Sequence, residues 1–318
     1  MRSPYLLLIG LIALAACRKD PETGPSAGGA GTSPCIPLPE APPQGWNEWL
    51  SQPYIGYPRW NPNNPEEFIV LEYRTPTLMK LWKYNLSTHN LDLLTEGNIL
   101  GSPAWGKTGW ILLNMGWPAN IYKIKANGDS LTQLTTDGQN FGGDWNYWGD
   151  TIVYYHAFND TRIMLSSGTY IQHLPNGGGY DVDNSTWNHP GYIATVGAGL
   201  FVANPYIGLP IFLIHDTTAA TYYGVSFVND LDRISWVWDT GLYATSISTH
   251  ETYLIEGTCS SNCYRSVDCH PLNNRLLLSK SRFTPDSPIQ HSLKVETSIV
   301  IMNLDGSSKE VVHIPFPD

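Results

Sequence analysis

Positive charge, helical periodicity and cysteine are all scarce in this 318-residue chain. Lys and Arg number 18 against 28 Asp and Glu, for a formal net charge of −10. No basic patch interrupts that balance, so a nucleic-acid partner, which demands clustered cations, is not expected. No stretch sustains a helical apolar period, and Gly and Pro punctuate the chain throughout, which argues against an α-helical domain. The apolar stretch from Tyr5 to Ala16 is shorter than the ~20 residues that span a bilayer. Nine histidines are scattered, with no paired or tightly clustered set of the kind that binds a metal. No cofactor motif is present, and neither a metal nor a cofactor is expected.

What is present begins at the N-terminus. Met1-Arg2-Ser3 carries one positive charge, the apolar run follows, and it ends in Leu14-Ala15-Ala16-Cys17. That is the form of a short signal peptide over residues 1–16. Leu-Ala-Ala-Cys resembles the lipobox of bacterial lipoproteins. The resemblance implies cleavage before Cys17, acylation of that cysteine with chains such as palmitate, and attachment to a membrane. Several acyl chains make such an anchor stable, since each buried methylene adds ~0.8 kcal/mol. Residues 17–44 are rich in Pro, Gly, Ala and Ser and read as a flexible tether with a reach of ~30 Å. The charged Arg18-Lys19-Asp20 after the cysteine is similar to the export signals of surface lipoproteins in Bacteroidetes-type bacteria, which implies an outer-membrane, surface-exposed location. Gly24-Pro25-Ser26-Ala27-Gly28 fits a nucleophile-elbow pattern, but neither strand nor helix flanks it, so it belongs to the tether.

With Cys17 acylated, Cys35, Cys259, Cys263 and Cys269 remain. In an oxidising envelope an even set points to two disulfides with three possible pairings. A zinc site would need two C-x-x-C knuckles, which the spacing lacks.

The domain over residues 45–318 is a repeat. Trp60, Trp105, Trp145, Trp187, Phe227 and Cys269 lie 45, 40, 42, 40 and 42 residues apart. After each comes a polar turn, and after each turn a β-rich run, such as Phe68-Ile69-Val70-Leu71, Trp110-Ile111-Leu112-Leu113 or Ile234-Ser235-Trp236-Val237. Asn127-Gly128 and Asp305-Gly306 are strong hairpin signals inside two of the units. Counting the strand that carries the aligned residue, each unit has four strands, and six such units predict an all-β, six-bladed β-propeller with four antiparallel strands per blade. A single blade is apolar on both faces, so the aligned aromatics are expected to fill the spaces between blades.

Trp105-Gly106-Lys107-Thr108-Gly109, with Ile121-Tyr122-Lys123-Ile124, Asn127-Gly128 and Gln133-Leu134-Thr135, resembles the repeat of TolB-type, WD-repeat-like propellers. The resemblance implies a propeller that docks an envelope protein or peptide at its central funnel. The residues expected to border that funnel are Arg59, Gly142, Asp144, Asp183, Ser226, Arg265 and Asp268, from their place on or beside innermost strands. Two readings of the acids are open. Asp144, Asp183 and Asp268 are the best-placed acids for a carboxylate pair that cleaves glycans, or they hydrogen-bond backbone amides at blade ends. Asp181-Val182-Asp183-Asn184-Ser185 alternates acids like a calcium loop, but Thr186 and Tyr192 stand where such a loop needs Gly and Glu, so a solvated turn is expected. The expected function is non-enzymatic binding of a protein or peptide, with glycan binding or cleavage as the alternative.

Overall fold

The computed structural model describes residues 54–317 apart from 76, 158–159, 175–180, 188, 197–198, 205–209, 217–223, 239–240, 260–261 and 288–291. The signal peptide, Cys17, the tether and Cys35 lie outside the described residues.

The described strands form six antiparallel sheets of four strands each, and every sheet is built from four consecutive strands. They are β1 (Tyr54–Asn61), β2 (Asn64–Thr75), β3 (Leu78–Asn85) and β4 (Leu91–Gly97); β5 (Ile99–Trp105), β6 (Trp110–Met115), β7 (Asn120–Lys125) and β8 (Thr132–Gln133); β9 (Asn140–Trp145), β10 (Thr151–His156), β11 (Asp160–Leu165) and β12 (Tyr170–His173); β13 (Asp181–Thr186), β14 (Ile193–Val196), β15 (Gly199–Ala203) and β16 (Pro210–Asp216); β17 (Gly224–Phe227), β18 (Arg233–Trp238), β19 (Gly241–Ser246) and β20 (Thr252–Gly257); β21 (Asn262–Cys269), β22 (Arg275–Ser287), β23 (Ser292–Asn303) and β24 (Glu310–Val312). In the sheet of β13–β16 many positions are described by backbone alone. The other five have their side-chain packing described through most of their length. Segment 181–186, read from its alternating acids as a turn, is the extended strand β13.

Apolar runs in the second strands explain the packing. Alternate residues of a strand point to opposite faces, and in β2 both sets are apolar: Ile69 and Leu71 pack with Ile99, Ile111 and Leu113 of the second sheet, while Phe68 and Val70 pack with Leu277, Ile299 and Ile301 of the sixth. The same division holds at each junction, giving an apolar cluster between every pair of neighbouring sheets. The fold is an all-β propeller with four-stranded antiparallel blades. Each aligned residue closes the junction with the preceding blade: Trp60 sits with Leu277, Trp145 with Leu112, Trp187 with Val153, and Cys269 with Val237. Trp60 and Trp187 are 2% and 1% exposed.

No sheet among the described residues combines strands from both ends of the chain. Among the described residues the junction of the first and last blades is therefore held by packing and side-chain bonds. The segment 313–317 serves as a clasp there. Ile314 and Phe316 join the apolar cluster, Phe316 meets Trp82 edge-on at 5.9 Å, and Arg74 Nη2 donates to the Pro317 carbonyl at 2.6 Å.

Cys263 and Cys269 are free, buried thiols, which corrects the expectation of two disulfides among the four cysteines. Each stands on an inner strand with its side chain in the apolar interior, and burial pushes the Cys269 thiol above its ordinary range.

Candidate functional site

The innermost strands β1, β5, β9, β13, β17 and β21 follow one another around the ring. The turns at their C-terminal ends form one face. Neighbouring turns are bonded there: Asn63 Nδ2 donates to the Lys107 carbonyl at 2.7 Å, Thr108 Oγ1 to the Gly149 carbonyl at 3.3 Å, and the Asn229 amide to Asn274 Oδ1 at 3.1 Å.

Just inside this face the residue before the aligned position accepts the amide of the aligned residue in the next blade. Asp144 Oδ2 takes the Trp187 N–H at 2.8 Å, Ser226 Oγ takes the Cys269 N–H at 2.9 Å, and Asp268 Oδ2 takes the Trp60 N–H at 2.7 Å. These amides belong to buried residues, and an unpaired buried N–H costs about 1–3 kcal/mol. The three oxygens thus act as clamps between blades. Asp268 does more than one job, because its Oδ1 also accepts Ser226 Oγ–H at 3.3 Å and faces Arg59 Nη1 at 3.4 Å. Arg59 in turn donates from Nε to Ser102 Oγ at 3.2 Å.

Two histidines add the next layer of clamps. His270 Nδ1 accepts the Leu272 amide at 3.1 Å while Nε2 faces the Asn61 carbonyl at 3.1 Å. His189 repeats the pattern with the Gly191 amide at 2.9 Å and the Leu231 carbonyl at 3.0 Å. An N–H aimed at Nδ1 requires that nitrogen unprotonated, and a carbonyl at Nε2 requires a proton there. Both rings are therefore neutral, and burial lowers the pKa of each.

The second blade departs from the clamp pattern, and a cleft results. Where Asp, Thr or Ser precedes the aligned residue in the third to sixth blades, Ala104, like Arg59 of the first blade, offers no side-chain oxygen. The Trp145 amide is instead accepted by its own Asp144 Oδ1 at 2.9 Å. Ala104 and Gly106 leave open a cleft of about 30 Å³, lined also by Arg59, Asp144, Trp145 and Asp268, with Pro62, Lys107 and Pro271. That volume is room for one or two waters or a group of similar size. Gly106 is required because a Cβ there would approach the Trp145 ring to 2.8 Å. Burial, opposed first by the Arg59 charge and then by the amide bonds, pushes Asp144 up to about 6.

The expected funnel residues divide. Arg59, Asp144 and Asp268 meet at the cleft. Ser226 touches it only through Asp268. Gly142, in the left-handed region at φ 57°, faces the Asn114 side chain of the neighbouring blade, whose amide would pair with the Gly142 N–H and carbonyl once its oxygen and nitrogen are exchanged. Arg265 sits at a bulge in β21, and its charge acts on Tyr54 at the start of β1, the opposite end of that strand from Trp60. Asp183 lies on β13, but its side chain is outside the described residues. The sequence reading passed over Lys107, whose Nζ stands 3.3 Å from the centre of the Tyr147 ring, and Trp148, which meets Tyr147 edge-on and is 52% exposed. Their signal was present: both follow aligned tryptophans, in turns already known to be exposed. No group of His, Cys, Asp and Glu among the described residues is arranged to hold a metal ion.

No protein-family profile matches the chain, and no curated protein matches it in sequence. Solved structures do. A chain of the nidogen/laminin complex superposes with a TM-score of 0.58 at 12% identity, over 74% of this chain and 93% of that one. A protein assigned as TolB from Agrobacterium tumefaciens gives 0.55 at 13%, over 74% and 87%. The propeller domain of the Trilobed protease from Pyrococcus furiosus gives 0.52 at 12%, over 83% and 85%. At such identities the likeness is one of fold alone, a β-propeller.

Proposed function

We propose that this chain is a non-enzymatic, six-bladed scaffold that binds a protein or peptide at the cell envelope, held there by a lipid on Cys17. The observation that carries the binding reading is the state of the acids. Asp144 spends both oxygens on backbone amides, and Asp268 spends its two on an amide, a hydroxyl and a guanidinium. A glycan-cleaving pair needs one carboxyl free to give a proton and another to attack or to activate water. Clamps that hold the ring shut are poorly suited to either task.

The same face presents apolar turns to solvent: Trp148 is 52% exposed, Leu272 62% and Leu231 38%. Trp and Tyr are enriched where binding energy concentrates. A rigid ring with such turns suits docking, and a TolB among the structural neighbours agrees with an envelope setting.

A photo-crosslinking amino acid placed at Trp148, compared with one at Val311 on an outer strand, tests the reading in intact envelopes. A discrete protein adduct from position 148 and none from 311 is expected. No adduct from either, together with glycan-array binding by the purified chain, would replace it with a carbohydrate-binding function, for which the exposed Tyr147–Trp148 pair offers a stacking surface.

A further inference from the structure

We propose that the cleft beside Ala104 is a carboxylate-binding subsite, formed by Arg59, the indole N–H of Trp145 and the ammonium of Lys107. This rests on the binding reading above and gives the partner a chemistry.

Unspent donors set the preference. Trp145 is 3% exposed and its Nε1 has no hydrogen-bond partner among the described residues. Its pyrrole carbons lie closest to Gly106, on the wall of the cleft. Arg59, whose side chain is 11% exposed, uses Nε on Ser102 and Nη1 on Asp268; among the described residues nothing takes Nη2. Lys107 lines the cleft with its Nζ against the Tyr147 ring and, among the described residues, no carboxylate beside it. The acceptors in the cleft are already occupied: Asp144 by two amides, and Asp268 by an amide, a hydroxyl and Arg59. A site with donors left over and acceptors satisfied takes an acceptor. Asp144 and Asp268 offset the charge of the two cations, so the preference for a carboxylate rests on the open arm of the planar Arg59 fork and on the buried N–H. The cleft, at about 30 Å³, admits a carboxylate head and little more. The rest of the ligand must then lie outside it, on the side of Lys107 and the Tyr147 ring that Lys107 faces.

The carboxylate has two candidate sources, a peptide or an acidic sugar, and the test separates them. The purified chain, labelled with ¹⁵N at its tryptophan indoles, is titrated with Ac-Gly-Gly-Glu-amide, with Ac-Gly-Gly carrying a free C-terminus, with glucuronate, and with the uncharged controls Ac-Gly-Gly-Gln-amide and glucose. A saturable shift of the Trp145 indole signal with a carboxylate probe, and none with its control, is expected. The probe that saturates at the lowest concentration names the source. Lys107→Gln, outside the core, should weaken binding about tenfold. Trp145→Phe, read through the shift of another indole, should do the same while preserving the ring's packing. Equal response to acid and amide, or unchanged affinity in both variants, overturns the subsite. If the subsite fails while the crosslink from position 148 succeeds, the scaffold reading stands without it. If carboxylates bind and no adduct forms, the subsite stands and the scaffold reading falls.

Discussion

Replacing Asp268 by Ala strikes the junction that no shared strand reinforces. The substitution orphans the Trp60 amide, which is bonded at 2.7 Å in a residue 2% exposed, and removes the charge that faces Arg59 at 3.4 Å. An orphaned buried donor costs about 1–3 kcal/mol, and a lost bond to a charged group lies in a similar range. Arg59 keeps Ser102 and gains access to water through the cleft, so its share falls at the low end. The expected loss is about 3 kcal/mol, which for a domain of this size lowers the melting temperature by roughly 6–12 °C. Ser226→Ala is the internal control. It removes a neutral acceptor of the Cys269 amide at a junction whose blades are otherwise packed in the same way, and about 1 kcal/mol is expected. Urea unfolding at neutral pH followed by tryptophan fluorescence measures both. If Asp268→Ala costs no more than Ser226→Ala, the reasoning that the first and last blades depend on this carboxylate is refuted.

Protonation tests the rest of the ring. Asp144 rises to about 6 from 3.8, so the folded state binds the extra proton first, and stability should increase by up to about 3 kcal/mol as pH falls from 6 toward 4. Asp144→Asn should flatten that part of the pH–stability profile. His189 and His270 act in the opposite sense. Their folded pKa values lie below 6.5, so the stability they confer is present above that value and lost as pH falls below it, and His189→Gln with His270→Gln should remove this loss. Truncation after Val312 removes Ile314, Phe316 and the Arg74–Pro317 bond, and a cost of about 2–4 kcal/mol is expected in calorimetry. Alkylation should leave Cys263 and Cys269 unmodified in the native chain and modify both in urea; modification of either in the native chain contradicts their burial.

The period was the legible part of this fold. Trp105, Trp145, Phe227 and Cys269 end innermost strands, Trp60 stands one residue before the end of its own, and Trp187 follows one by a single residue, because each unit must bury both faces against a neighbour and a bulky side chain there serves every junction alike. The runs at 68–71, 110–113, 234–237 and 275–278 fall inside second strands for the same reason. Asn127-Gly128 and Asp305-Gly306 form their turns with Gly at φ 87° and 81°, the left-handed backbone that Gly adopts without strain. What could not be read was which atom meets which. Asp144, Ser226 and Asp268 look like different residues in a sequence and act as one kind of clamp in space, since the amide each accepts lies some 43 residues ahead or at the far end of the chain. The cleft depends on an alanine, Ala104, standing where four of its five equivalents carry a side-chain oxygen, a feature visible only once the clamp is known. The clasp at 313–317 has no periodicity to announce it, and the alternating acids of 181–185 mislead because a strand and a metal loop share a two-residue repeat.

Hydrogen exchange at the Trp60 and Trp187 amides tests most directly whether the central acids hold the ring or are free for chemistry. Both amides are predicted to exchange only through global unfolding, with Trp60 losing that protection in Asp268→Ala. Exchange as fast as that of the exposed Lys309 amide would contradict the account, because Asp144 and Asp268 would then be carboxylates without these bonds, available to a substrate.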